Sequence, residues 1–125
     1  MAEIERRRAL VRAVRPQVPI RGRSVILTDD GIATGATMIA ALRTVRAAGP
    51  ERIVVALPVA SPERLPAIEA LCDRLECLHT PADFLAVGQF YRSFEEVTDA
   101  TVVALLREYG SAATPWLGRP AAVGA

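Results

Sequence analysis

The sequence contains no lysine; all fifteen of its basic residues are arginine. That absence excludes Schiff-base chemistry, which needs a deprotonatable amine. It excludes a Walker-type phosphate loop, whose lysine reaches the phosphates. It also excludes the phospho-acceptor receiver scheme, in which strand-end acids work beside a lysine. Cysteine is scarce: Cys72 and Cys77 fit neither a CxxC redox pair nor a common zinc spacing. They read as buried apolar thiols. There is one histidine, His79. No uninterrupted apolar run approaches the ~20 residues of a membrane span. Charged residues (Glu3, Glu5, Arg6, Arg7, Arg8) open the chain with no apolar stretch behind them, so no secretory signal is expected. Nothing points to an oxidising compartment, and a cytoplasmic location is expected. A net charge of +1 gives no global argument for nucleic acid or a membrane.

What is present suffices for one domain. The chain has 125 residues, of which 51% are hydrophobic, ample for a core. Residues 3–15 read as an Arg-rich helix, with Ile4, Val11 and Val14 on one face, ended by Pro16 and Pro19. Seven arginines lie between Arg6 and Arg23. They could touch phosphate, although a solvated helix face is the simpler reading. Val25 to Thr28 is continuously apolar or β-branched, as for a strand covered on both faces. A helix over 37–48 follows, with Ile39, Leu42 and Val45 at helical spacing, and Gly49-Pro50 stops it. Ile53–Leu57 reads as a second buried strand. Ser61-Pro62-Glu63 reads as a helix start, with Leu65, Ile68 and Leu71 inward. Leu75–His79 alternates more and predicts a strand nearer an edge. A last helix over 99–109 is capped by Thr98, with Val102, Leu105, Leu106 and Tyr109 inward. Residues 111–125 read as a flexible tail that Trp116 pins locally.

This order predicts an α/β fold: a three-layer arrangement, a mostly parallel sheet of about three strands, and flanking helices. The organisation divides into an N-terminal Arg-rich helix and connector (1–23), a core domain (24–110) and the tail (111–125). Ligands in such sheets bind beyond the carboxyl ends of the strands.

The segment Val25–Thr37 reads V-I-L-T-D-D-G-I-A-T-G-A-T. A buried strand ends in Asp29 and Asp30, and a loop of small and hydroxyl residues opens into a helix. Two adjacent carboxylates can accept hydrogen bonds from a sugar diol. They stay ionised if hydroxyls, water or a metal satisfy them. Gly31 lets the chain leave the strand, Gly35 tolerates an unusual φ, and Thr34 and Thr37 add hydroxyl donors. The helix after Thr37 presents a positive dipole end to a phosphate.

That string resembles the phosphoribosyl-pyrophosphate-binding motif of type I phosphoribosyltransferases, on Asp29, Asp30, Thr34, Gly35 and Thr37. The resemblance implies a partial phosphoribosyltransferase-like (Rossmann-like) fold. It implies that Asp29 and Asp30 act on the ribose 2′- and 3′-hydroxyls as the catalytic pair. Ala33, Thr34, Gly35, Ala36 and Thr37 would wrap the 5′-phosphate. Mg²⁺ would ride on pyrophosphate and ribose oxygens, with no direct protein ligand. The implied reaction displaces pyrophosphate from ribose C1 by a nitrogen nucleophile, through an oxocarbenium-like transition state. Members acting on 6-oxopurines usually carry an aspartate where Ala33 stands, and alanine cannot move a proton. The implied partners are phosphoribosyl pyrophosphate and an acceptor of unassigned identity. The alternative is a non-catalytic module sensing the same ligand.

The segment F-L-A-V-G-Q-F-Y-R-S-F holds four of the six aromatics: Phe84, Phe90, Tyr91 and Phe94. Phe90 or Tyr91 could cover the acceptor by stacking on a planar base. The simpler reading is an aromatic cluster packing a long connection onto the sheet. The segment is similar to the C-terminal region of a poorly characterised bacterial branch of the family. His79 ends its strand on the same side, where a lone histidine is more often structural. The resemblance covers roughly residues 1–110, the C-terminal half of a full family domain. Neither the pyrophosphate-binding loop nor the mobile closing loop is found. A half sheet would expose a strand edge and an apolar face, so self-association is expected, either as a homo-oligomer or with a missing N-terminal half.

Overall fold

Short apolar or alternating runs, each followed by glycine or proline punctuation, set the frame. β1 (Ser24–Thr28), β2 (Arg52–Val59) and β3 (Arg74–His79) form one parallel sheet in the order β1-β2-β3. Parallel neighbours cannot be joined by a hairpin, so each connection returns through a helix. The first return is α2 (Ala36–Ala47). The second is a 3₁₀ turn at Pro62–Arg64 running into the short α3 (Leu65–Glu69). α1 (Ala2–Val14) precedes the sheet; a 3₁₀ turn at Val87–Phe90 and α4 (Asp99–Tyr109) follow it. This computed structural model describes residues 1–110. The architecture is α/β with flanking helices, as the order of elements requires.

The strand period of two puts Ile53, Val55, Leu57 and Val59 on one face of β2, and all four are buried. Met38, Leu42 and Val45 of α2 and Ile68 of α3 form one core cluster with Ile53, Val55 and Leu57. Leu42, Ile53, Val55 and Ile68 are fully buried. Each such side chain is worth roughly 1.5–3 kcal/mol relative to exposure. α2 ends at Gly49, whose φ of +74° an L side chain rarely adopts. The Asp73 carboxylate accepts from the Ile53 N–H (2.7 Å) and from Arg46 (3.2 Å), tying the start of β2 to the start of β3. The Ile53 N–H first, and Arg46 after it, hold this carboxyl below its ordinary value.

Several expectations are corrected. β1 is not covered on both faces: Ile26 is 66% exposed, because α2 and α3 pack on the other face of the sheet, where Val25 and Leu27 lie half-buried against the core. Leu105 and Tyr109 of α4 are exposed, while Val102 and Leu106 are half-buried. On α1, Val11 and Val14 are half-buried but Ile4 is exposed. Both helices gain cover only along the narrow stripe where they meet. Cys72 and Cys77 are half-buried rather than buried: Cys72 lies in the turn between α3 and β3, and Cys77 on the edge strand β3. Ser61 offers no side-chain cap, and its helix begins as a 3₁₀ turn. Thr98 does cap α4, its Oγ1 accepting from the Thr101 N–H at 3.2 Å. The tail and Trp116 lie outside the described residues.

Contacts group the chain into two units. In Pro19–Phe94 the sheet packs on α2 and α3. In Met1–Val18 with the described residues from Glu95 onward, α1 meets α4. There Arg6 pairs with Glu3 (2.7 Å) and Asp99 (2.6 Å), and its hydrogen bond holds the Glu3 carboxyl down at about 2. These ion pairs are open to solvent and each contributes little to stability. Neither helix contains a buried residue.

Candidate functional site

The strand that ends in the acids is anchored on both sides of them. Its register with β2 runs from Ser24↔Arg52 to Thr28↔Ala56, and the same offset resumes at an isolated bridge, Ile32↔Ala60. There the Ile32 N–H donates to the Val59 carbonyl (3.1 Å) and the Ser61 N–H donates to the Ile32 carbonyl (3.1 Å). Asp29, Asp30 and Gly31 therefore form a short departure between two fixed points. The Asp30 N–H donates to Asp29 Oδ1 at 2.8 Å, which holds one carboxylate against its neighbour's backbone. Desolvation by the turn, then the hydrogen bond and charge of the Asp29 carboxyl, push the Asp30 carboxyl above its ordinary value. Like charges placed side by side resist double ionisation. A ligand that brings hydroxyl donors or positive charge relieves this.

After Ile32 the chain bends through Ala33 and Thr34 to Gly35, which is the N-cap of α2 at φ +84°. The Thr34 hydroxyl accepts from the Ala36 N–H at a long 3.4 Å, and no side chain caps the helix proper. The first closing bond runs from the Ile39 N–H to the Gly35 carbonyl at 2.9 Å. The first turn carries no acid to offset the dipole. The N–H groups of that turn thus form a positive, anion-accepting end.

Acid and turn share one cleft of about 140 Å³. Asp29 lines it together with Ala33, Thr34, Gly35, Thr37 and Val87. Asp30 and Ala36 do not line it; Asp30 touches a lining residue through its N–H on Asp29, and Ala36 begins α2 beside it. Three residues that sequence reasoning does not single out complete the walls: Ile32 and Met38 as an apolar floor, and Val87 opposite Gly31. Ile32 and Met38 carry a signal, being the apolar members of the loop–helix pattern. Val87 carries none, since it sits in a long connection without periodicity.

Phe90 and Tyr91 do not line this cleft. The Phe90 ring lies 5.3 Å from Phe84 and meets His79 edge-on at 5.5 Å. His79 is exposed and serves here as an aromatic neighbour. Tyr91 stacks against Phe94 at 5.2 Å, and its hydroxyl donates to the Asp30 carbonyl at 2.5 Å. The segment packs onto the sheet end and its acid turn. Among the described residues no cluster of three or more His, Cys, Asp or Glu could cage a metal. Among the described residues no helix is long and apolar enough to cross a membrane.

Comparisons with known proteins bear on the family and the fold. The family described as "Phosphoribosyl transferase domain" matches residues 8–95. Two Mycobacterium tuberculosis proteins are each 42% identical over 106 residues: "Putative phosphoribosyl transferase Rv0571c" from strain H37Rv and "Putative phosphoribosyl transferase MT0597" from strain CDC 1551. Each match covers 85% of this chain and 24% of the relative. The crystal structure of TT1426 from Thermus thermophilus is similar at a TM-score of 0.77 and 50% identity, over 82% of this chain and 49% of that one. The chain thus spans about a quarter of the length of these curated relatives and about half of the solved structure.

Proposed function

This chain belongs to the phosphoribosyltransferase family, and on that premise we propose that its Asp29–Thr37 cleft binds phosphoribosyl pyrophosphate or a nucleoside monophosphate. The reaction served is transfer of the phosphoribosyl group to a nitrogen nucleophile with release of pyrophosphate. The observation that carries this reading is the shared cleft. A carboxylate suited to a sugar diol and an uncapped helix start suited to a phosphate open onto the same small space.

In this reading Asp29 and Asp30 accept hydrogen bonds from the ribose 2′- and 3′-hydroxyls. The turn from Ala33 to Thr37 holds the 5′-phosphate with backbone N–H groups and two threonine hydroxyls. As positive charge develops at ribose C1, the carboxylates and the polarised diol stabilise it. Mg²⁺, held on the ligand's own oxygens, would supply charge neutralisation for the leaving pyrophosphate. Ala33 lines the cleft and offers no proton donor or acceptor, which argues for an acceptor other than a 6-oxopurine.

Isothermal titration with phosphoribosyl pyrophosphate and Mg²⁺ tests this. The wild type is expected to bind, and Asp29→Asn/Asp30→Asn is expected to lose binding. Equal binding by the two proteins would reject the assignment. Pyrophosphate release from a panel of nitrogen acceptors then separates a transferase from a non-catalytic binding module.

A further inference from the structure

We propose that Tyr91 is a positioning residue: its hydroxyl ties the aromatic segment to the acid turn and fixes the Asp29–Asp30 carboxylates for a sugar diol. This rests on the sugar-phosphate reading of the cleft. The acid turn is the part of that strand most in need of an outside tether. It leaves the ladder after Thr28 and rejoins β2 only at Ile32. Between those points the Tyr91 hydroxyl donates to the Asp30 carbonyl, 61 residues away in sequence.

The donor itself is held in place by its own segment. The Tyr91 ring stacks on Phe94, and the adjacent Phe90 packs against Phe84 and His79. The Gln89 side-chain carbonyl accepts from the Leu85 N–H (2.8 Å) and the Ala86 N–H (2.9 Å), closing the turn that carries Tyr91. Val87 presses on the other side of the same acid turn, so close to Gly31 that no β-carbon fits there. A hydroxyl mounted in this way is a fixed donor. It holds the Asp30–Gly31 peptide through its carbonyl, and so steadies the residue whose N–H the Asp29 carboxylate accepts. The 5′-phosphate turn makes no use of it, so the tether acts on the diol side of the cleft alone.

The test compares two ligands in the whole chain. Phosphoribosyl pyrophosphate with Mg²⁺ presents both diol and phosphate; inorganic phosphate, followed by amide shifts of Gly35 to Thr37, presents only the anion. Tyr91→Phe keeps the ring and removes the hydroxyl. Its affinity for phosphoribosyl pyrophosphate is expected to fall by roughly five- to tenfold, as for one lost hydrogen bond. Phosphate affinity should stay within about twofold, with the unfolding midpoint lowered only modestly, as for one lost hydrogen bond. Phe94→Leu, which loosens the mount and keeps the hydroxyl, should shift sugar affinity the same way by less. Unchanged sugar affinity in Tyr91→Phe overturns the proposal. So does a parallel loss of both ligands with a steeply lowered midpoint, which would mark a purely structural role. A wild type that binds phosphate but no phosphoribosyl pyrophosphate would sink the reading of the cleft itself, and this role with it.

Discussion

Gly31 and Val87 approach so closely that no side chain fits between them: a β-carbon on Gly31 would stand 2.8 Å from Val87 Cγ1 and 2.9 Å from Val59 Cγ1. Both valines are β-branched and stiff at χ1, and Val59 is buried, so neither yields cheaply. Gly31→Ala is expected to lower stability by about 1–3 kcal/mol, as overpacking does. Gly31→Ala/Val87→Ala should recover part of that loss. Urea unfolding of the two variants decides it; the same midpoint in Gly31→Ala and wild type would show that the contact is loose.

Gly35 is a different kind of glycine. A β-carbon there would have room, its nearest neighbours lying 3.7 Å away, but φ is +84°. Gly35→Ala should therefore cost about 1–2 kcal/mol through backbone strain rather than clash. The strain should also rotate the helix-start N–H groups and weaken phosphate binding. Urea unfolding and phosphate titration by amide shifts read the two effects separately. Full stability with normal phosphate affinity would contradict both.

The raised Asp30 carboxyl makes a pH prediction. A carboxyl whose folded value lies above its unfolded one takes up a proton on folding, so stability falls as pH rises from about 3.8 through the higher folded value. Asp30→Asn lacks this term. It is expected to be more stable than wild type at neutral pH, with the advantage vanishing below the unfolded aspartate value of 3.8, while losing sugar affinity. Melting temperatures from acid to neutral pH test the sign. A variant less stable than wild type at neutral pH would show that the charge is already satisfied.

The outer edge of the sheet predicts behaviour in solution. Ile26 is 66% exposed on β1, the first strand in the sheet order, where unpaired backbone groups invite another strand. Concentration-dependent association of the isolated chain is expected, and Ile26→Glu should reduce it. Light scattering that finds a monomer across the whole concentration range in both proteins would oppose this.

Much of the fold is legible in the sequence because its signals are local. Val25, Ile26 and Leu27 announce a strand. The Leu42 and Val45 spacing announces α2, and Gly49 with Pro50 announces its end. The adjacency of Asp29–Asp30 to Thr34–Thr37 announces a cleft at the strand's end, since a few residues of chain cannot carry the acids far from the turn. The cover on each strand is not legible, because Ile26 looks the same in sequence whether a neighbour lies over it or not. The exposure of Leu105 and Tyr109 is hidden for the same reason: helical spacing names a face but not what meets it.

By itself, then, the sequence determined the elements, their order, and the closeness of the acid pair to the turn through Gly35, all products of short-range sterics and hydrogen bonding. Only the tertiary structure decided that Val87 closes on Gly31 and that Tyr91 reaches the Asp30 carbonyl. It also decided that one face of β1 lies open. Those relationships join residues far apart along the chain, and no local propensity encodes a partner that only the packing of a whole sheet brings near.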